Sequence, residues 1–354
     1  MSRSSTDRSG WLPLSSAVHP FYAGVDLGGT NIKAGLVDDQ GRTLAFHTEP
    51  THADRGPEDA AARMGRAVHT LAELAGIAID DVTRVGLGTP GPQDLAAGTI
   101  LRAGNLPGWD GFPIRDRVAL HAGREVTFAN DANAAAYGEF WVGSARDASS
   151  LVLLTLGTGV GGGIIIGDTN VEGAHSHGSE CGHIIVDTSP SARSCPFGHQ
   201  GDLEAYCSAT ALVARAREAL AGHATGDLAA AVTRGEQLTP ILVSDAAAGG
   251  DPLARELILD TARWLGIGIV TLMHTIDPEM VVIGGAMTFG GESAPVGKLF
   301  LDAVRAEVRA RAFPVLAEKT VIGYASLGGD AGYIGAAGLA RLTHRAKTDS
   351  ERIA

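Results

Sequence analysis

The sequence predicts an α/β fold of two lobes, built from mixed sheets flanked by helices, and three observations carry that expectation. Short apolar or β-branched runs alternate with stretches of helical spacing. The segments FYAGVDLGGTNIKAGLV and SLVLLTLGTGVGGGIIIG share one plan: a strand, a Gly/Thr-rich turn and a second strand. Two such hairpins about 130 residues apart read as a duplicated unit rather than a short-period repeat. The 354 residues are more than one core usually holds.

Taken in order, strands are expected at Tyr22–Asp26, Ile32–Val37, Arg84–Gly88, Val126–Ala129, Leu151–Leu156, Gly163–Ile166, His183–Val186, Met280–Ile283 and Val321–Ala325. Helical spacing covers Pro57–Ala75, Ala132–Val142, Leu203–Leu220, Pro252–Thr275 and Val296–Arg311, with a last amphipathic run over Ala331–Leu342. The polar opening MSRSSTDRSGWLPLSS lacks the apolar core of a signal peptide. Residues 1–19 are expected to be a mobile tail, and no stretch is expected to span a membrane.

Composition narrows the function. The formal net charge is -12 and no basic run occurs, so nucleic acid and anionic membrane surfaces are not expected partners. Three cysteines, Cys181, Cys195 and Cys207, make no disulfide framework, and a reducing cytoplasm is the natural compartment. Glycine is abundant, 48 of 354 residues, and clusters between apolar runs where tight turns can face phosphate.

In the first hairpin, Asp26 closes a strand and Gly28, Gly29, Thr30 and Asn31 form the turn, with Lys33 just beyond. Glycines let backbone N–H groups approach phosphate oxygens, and the threonine and asparagine add donors. Asp26 suits the water shell of a magnesium ion better than direct phosphate contact. The second turn, Gly157-Thr158-Gly159 continuing to Gly163, is richer still, and neither turn is a GxxxxGK[ST] loop. Two lobes each offering such a turn to one cleft would meet a nucleotide from both sides.

Asp131, in Phe128-Ala129-Asn130-Asp131-Ala132-Asn133, lies where a strand gives way to a helix. A simple helix cap explains one polar residue there, but not the Asn-Asp pair followed by Asn133. A carboxylate held ionised by the helix N-terminus can orient a hydroxyl and accept its proton during phosphoryl transfer. Glu180, His183 and Glu204, with Asn105 in GNLPGW, supply the carboxylate, imidazole and amide groups that hold sugar hydroxyls.

These segments resemble the bacterial ROK-family sugar kinases, most closely the glucokinases, over about Phe21–Leu342. The likeness rests on DLGGTNIKAGLV, GLGTPGP, NLPGW, FANDANAAAYGE, LTLGTGVGGG, GSECGH, GDLEAY, DPEMVVIGGAM and LGGDAGYIGAAGLA in that order. It implies a two-lobed, actin-like ATPase (ribonuclease H-like) fold. A small lobe would cover 20–128 and a large lobe 129–330, with a C-terminal helix over about 331–354 returning to the first lobe. It also implies Asp131 as catalytic base and Asn105, Asn130, Asp131, Glu180, His183 and Glu204 around a hexose. Gly28–Asn31 and Gly157–Gly159 would hold ATP phosphates, Gly284 and Gly285 would border adenosine, and two copies would form a homodimer. Glucose is the expected substrate, converted to glucose 6-phosphate with ATP and Mg2+. An N-acetylhexosamine (N-acetylmannosamine or N-acetylglucosamine) or fructose is the alternative, and a non-catalytic sugar sensor is a further one. A DNA-binding repressor of the same family would need a helix-turn-helix domain ahead of Phe21, and an actin-like chaperone ATPase would need no Asn-Asp pair.

Two departures stand out. The family usually carries CxCGxxGCxE, whose three thiolates join a histidine on a structural zinc. Here the segment runs Cys195-Pro196-Phe197-Gly198-His199-Gln200-Gly201-Asp202-Leu203-Glu204, so Phe197 and Asp202 replace two thiolates. His183 and Cys195 are two certain ligands of the four a tetrahedral site needs, with His199 and Asp202 as candidate substitutes. The expectation is no bound metal and a loop held by packing of Phe197. Ser179-Glu180-Cys181 stands where Ala-Glu-Ile is usual, keeps the carboxylate, and makes Cys181 a small buried residue.

Overall fold

The structure, a computed structural model, describes residues 11–102, 106–222 and 225–353. Asn105, an expected sugar ligand, lies outside them. Two compact units emerge: Met1–Asp147, Gly163–Ser179 and Ser326–Ala354 form one, and Ala148–Gly162 with Glu180–Ala325 forms the other.

The first unit contains β1 (Phe21–Leu27), β2 (Asn31–Val37), β3 (Thr43–Pro50), β4 (Val82–Thr89), the short β5 (Gln93–Asp94) and β6 (Thr99–Ile100), and β7 (Val126–Asn130). Its main sheet has the order β3-β2-β1-β4-β7. β1 pairs antiparallel with β2 and parallel with β4, and β4 pairs parallel with β7. The helices are α1 (Pro57–Ala75), α2 (Ile114–Ala122), α3 (Asp131–Trp141) and α11 (Ala331–Ile353). Proline at the first position starts α1, and Gly76, at φ 72°, ends it in the left-handed conformation.

β1 is apolar on both faces because both are covered. Ala23 and Val25 pack with Met64, Val68 and Val118 of α1 and α2 on one side. Tyr22 packs with Tyr333, Ile334 and Ala337 of α11 on the other. The α11 backbone lies directly on the sheet: a Cβ at Gly24 would fall inside the Tyr333 carbonyl, and one at Gly86 inside the Ala336 carbonyl. Gly335 meets the Ala134 carbonyl of α3 in the same way. That contact is why α3 belongs to the first unit, where the sequence placed it beyond the boundary at residue 128.

A second sheet comprises β8 (Ser150–Leu156), β9 (Val160–Ile166), β10 (Thr169–Asn170), β11 (Met280–Gly284) and β12 (Val321–Tyr324). Its order is β10-β9-β8-β11-β12, and the division between units falls within β9. β11 pairs parallel with both β8 and β12. The second unit adds α4 (Glu204–Cys207), α5 (Ala209–Ala221), α6 (Asp227–Thr233), α7 (Pro240–Ala248), α8 (Pro252–Ile276), α9 (Pro295–Arg311) and α10 (Pro314–Lys319).

Several expectations are corrected. β3 was not foreseen, since its burial follows no two-residue alternation. His183–Val186 is not a strand but the end of a 3-10 turn, Cys181–His183, with one isolated bridge between Ile185 and Asp202. The helix expected over Leu203–Leu220 breaks at Ser208, whose Oγ accepts from the Ala211 N–H at 3.1 Å and caps α5. Residues 11–19 are not loose: Leu12 N–H donates to Thr43 O at 2.8 Å, and Val18 N–H to Asp38 Oδ2 at 3.1 Å. α8 is long and apolar enough to cross a membrane by length and composition, but Leu257, Ile258, Leu265, Ile269 and Met273 bury it as a core helix.

Gly86→Ala forces a methyl into a backbone carbonyl. Overpacking of this kind costs about 1–3 kcal/mol where side chains can yield. Because a backbone must move here, urea unfolding of this variant is expected to show a loss of at least about 3 kcal/mol.

Candidate active site

In the first unit the candidate side chains gather at the carboxyl ends of the parallel strands, where α/β sheets bind ligands. Asp26 is opposite Gly88 across the β1–β4 pair, and Thr89 is opposite Asn130 across β4–β7. Gly29, Thr30 and Asn31 are exposed on the first turn. That turn is closed by Gly28 N–H donating to Asn31 O at 2.9 Å. Thr51, which sequence reasoning missed, braces it: its Oγ1 donates to Gly28 O at 2.6 Å and its N–H to Thr30 O at 2.8 Å. Buried Arg63 of α1 then holds the strap, donating to Pro50 O at 2.7 Å and to Thr51 O.

Asp26 lies against the first turn of α11, where Gly332 leaves room for its carboxylate. Lys33 Nζ donates to Gly329 O at 3.0 Å in the same region. Burial raises the Asp26 pKa to about 6, against a partial lowering by Lys33.

The helix cap at α3 is Asn130, whose Oδ1 accepts from Ala132 N–H at 2.9 Å and Asn133 N–H at 3.2 Å. Asp131 therefore stands at the first helical position, half-buried, with Oδ1 also accepting from Ala132 N–H at 2.8 Å. Gln93, also missed, is buried behind the pair and donates to Thr89 O at 2.8 Å, Thr89 Oγ1 at 2.7 Å and Ala129 O at 3.2 Å. It ties the loop after β4 to the strand end that presents Asn130.

In the second unit, Gly157 N–H donates to Gly159 O at 2.9 Å to close the richer turn. α5 backs it: Ala209 N–H donates to Gly157 O at 2.8 Å, and Thr210 Oγ1 to Thr158 O at 2.8 Å. Buried Glu204 lies beneath, its Oε2 accepting from Val160 N–H at 2.9 Å, and a side chain on Gly159 would collide with it. Burial raises the Glu204 pKa, opposed by the Val160 bond and His183 and supported by Asp202 and Glu180. Glu180, His183 and Glu204 are thus electrostatic neighbours, and His183 N–H donates to Glu180 O at 3.0 Å. Cys181 is buried, and burial pushes its thiol up to about 12, which leaves it inert.

Gly285, at φ 89°, packs its Cα against the Leu156 backbone and admits no side chain. Beside it opens a cavity of about 370 Å³ lined by Ile241, Ser244 and Asp245 of α7 with Met287, Phe289 and Val296. α7 was not foreseen, so neither was this pocket.

The loop after His183 draws the two candidate substitutes to the two certain ligands. Ligand atoms of His183, Cys195, His199 and Asp202 all lie within 4.8 Å of one another. Asp202 is fully buried, its Oδ2 2.9 Å from His183 Nδ1 and 3.8 Å from His199 Nδ1. Phe197 does pack here, edge-on to His183 with ring centroids 5.4 Å apart. The two certain ligands read from sequence become four convergent donors, a set that fits a tetrahedral divalent ion.

Mixed sheets carrying glycine turns in two units are the features of the actin-like ATPase fold. The chain belongs to the ROK family, whose description matches residues 22–343. A glucokinase of Halalkalibacterium halodurans is 33% identical over 315 residues, covering 89% of this chain and 93% of that protein. A ROK-family glucokinase from Streptomyces griseus, solved in complex with glucose and AMPPNP, is 35% identical with a TM-score of 0.73 over 91% of this chain and 99% of that one. A ROK hexokinase from Thermus thermophilus is 33% identical with a TM-score of 0.76 over 92% of this chain and 99% of that one.

Gln93→Leu leaves the carbonyls of Thr89 and Ala129 without their donor. Denaturation is expected to show a loss of about 1–3 kcal/mol, and steady-state assays a kcat lowered about tenfold with a smaller change in KM.

Proposed function

We propose that the protein transfers the γ-phosphoryl group of ATP to glucose, giving glucose 6-phosphate. The observation that carries the reading is Asp131 at the first position of α3, with capping delegated to Asn130. Its carboxylate sits in the field of the helix N-terminus, which favours the charged form. There it orients the acceptor hydroxyl and takes its proton as the phosphoryl group leaves ADP. Likeness to a glucokinase that binds glucose and an ATP analogue supports the same substrates here.

Glu180, His183 and Glu204 bind the sugar hydroxyls, with Asn130 and Asn105. Glu204 also fixes the Gly157–Gly159 turn through Val160, so one carboxylate links sugar recognition to the phosphate loop. The turns at Gly28–Asn31 and Gly157–Gly159 hold phosphate oxygens through backbone N–H groups. Lys33 lies beside the first turn and adds positive charge. The cavity beside Gly284 and Gly285 takes adenosine between Ile241 and Met287, with Ser244 and Asp245 as polar partners.

Asp26 ionises above about pH 6 and suits the hydration shell of magnesium. A magnesium ion arriving with ATP would supply positive charge against the β- and γ-phosphates. A zinc-class ion held by His183, Cys195, His199 and Asp202 would fix the loop that presents His183. The reading extends to a cytoplasmic homodimer in glycolysis, on the strength of the family resemblance.

ADP release with ATP, magnesium and single sugars tests the proposal. Turnover with glucose far above the sugar-free rate supports it. Turnover only with N-acetylglucosamine, N-acetylmannosamine or fructose moves the substrate, and silence with retained sugar binding indicates a sensor. Asp131→Asn is expected to bind glucose nearly normally while kcat falls about 10²–10⁴-fold; unchanged kcat would remove Asp131 from the role of base.

Asp26 yields a pH prediction of opposite sign for stability and activity. A carboxyl raised from 3.8 to about 6 makes the folded state bind more protons, so stability falls as pH climbs through that window. Asp26→Asn removes the cost and is expected to stabilise the free protein at pH 8 by up to about 3 kcal/mol, with no gain below pH 4. Magnesium-dependent turnover should be largely lost. In the wild type, kcat/KM should decline as pH drops through about 6.

A further inference from the structure

The quartet of His183, Cys195, His199 and Asp202 is drawn from two places in the second unit. His183 ends the 3-10 turn Cys181–His183, and the other three come from the loop that follows. That loop is folded back by Cys195 N–H donating to His199 O at 2.9 Å and by a bridge between Ser194 and Gln200. A second bridge, Ile185 to Asp202, fixes the loop against the segment leaving His183. The two imidazole rings stand perpendicular, 5.1 Å apart.

A buried carboxylate normally requires full compensation. Asp202 has His183 on Oδ2 and the Ala205 N–H on Oδ1 at 3.1 Å, while a second imidazole and a buried thiol face the same point. A tetrahedral ion with bonds of about 2.0–2.3 Å sets its ligands about 3.3–3.8 Å apart. Donors already within 4.8 Å reach that spacing by side-chain adjustments of about 1 Å.

We propose that this chain holds a divalent zinc-class ion on a rebuilt donor set of two imidazoles, one carboxylate and one thiolate. Asp202 occupies the position of a lost thiolate, and His199 supplies the ligand that Phe197 cannot. Phe197, edge-on to His183 and stacked at 22° on His199, takes the second thiolate's place as an apolar seal that orients both rings. Binding deprotonates Cys195 and releases its proton to solvent. One thiolate in place of three makes the centre harder and less tightly bound, so cobalt and nickel compete better than at a thiolate-rich site. The inference does not depend on the kinase reading, because its test reads the metal itself.

Full-length protein reconstituted with zinc and freed of loose metal is expected to retain about one zinc per chain. X-ray absorption at the zinc edge should show one sulfur and three nitrogen or oxygen neighbours. Cobalt substitution should give tetrahedral visible bands with sulfur charge transfer that disappears in Cys195→Ser. His199→Ala and Asp202→Asn should each weaken zinc at least about tenfold, whereas Asp202→Cys should hold it better against a chelator. No retained metal, a shell of oxygen and nitrogen only, or undiminished zinc in both His199→Ala and Asp202→Asn would overturn the proposal. The absorption measurement uses wild-type protein, so it stands even where a variant fails to fold.

Discussion

The first unit depends on contact between backbones. α11 lies on β1 and β4 with no side chain between them at Gly24 and Gly86, and it meets α3 through Gly335. Interiors are packed to crystal-like density, so a helix seated this closely leaves its neighbours few alternative positions. The strand ends that carry Asp26, Thr89 and Asn130, and the helix that begins at Asp131, are held by that seating. Glu139 reinforces it from the far end of α3, where its buried carboxylate accepts from Leu327 N–H at 2.7 Å and Ser326 Oγ at 3.1 Å. The turn leading into α11 is thereby tied to α3.

The second unit solves a comparable problem with hydrogen bonds. A glycine turn has little structure of its own. Here Glu204 holds Val160 from below, and the start of α5 holds Gly157 and Thr158 from behind. The break at Ser208 makes both possible. A continuous helix over 203–220 would have saturated the Ala209 N–H internally, whereas a helix that restarts at Ala209 has it free to reach the turn. Pre-set donors of this kind need little reorganisation when charge develops.

Legibility followed how local the physics was. α1 was readable to the residue because proline, amphipathic spacing and a terminal glycine agree. The β1–β2 and β8–β9 hairpins were readable because apolar runs flank glycine turns. β3 was not: TLAFHTEP is polar at its end and owes its place to pairing with β2. Asp131 was legible as a candidate, but only coordinates could assign the cap to Asn130 and place Asp131 at the first helical position. Thr51, Gln93 and Arg63 were illegible because each acts through a backbone carbonyl distant in sequence. The loop after His183 was legible in part: His199 and Asp202 could be named as candidate ligands, but only the folded loop brings them together with His183 and Cys195.

The order in which the chain is made has a consequence for how it folds. The sheet of the first unit is laid down early, yet its cover, α11, is the last helix in the sequence. Gly24 and the Tyr333 carbonyl that seals it are separated by the synthesis of some 300 residues, or roughly 15–60 s at typical elongation rates. For most of that interval the face bearing Tyr22, Val37 and Phe46 is made but lacks its cover. Contacts so remote in sequence form slowly and leave apolar surface open to wrong partners. A chain that stops before α11 leaves that apolar face open, the kind of surface that aggregates or that chaperones bind.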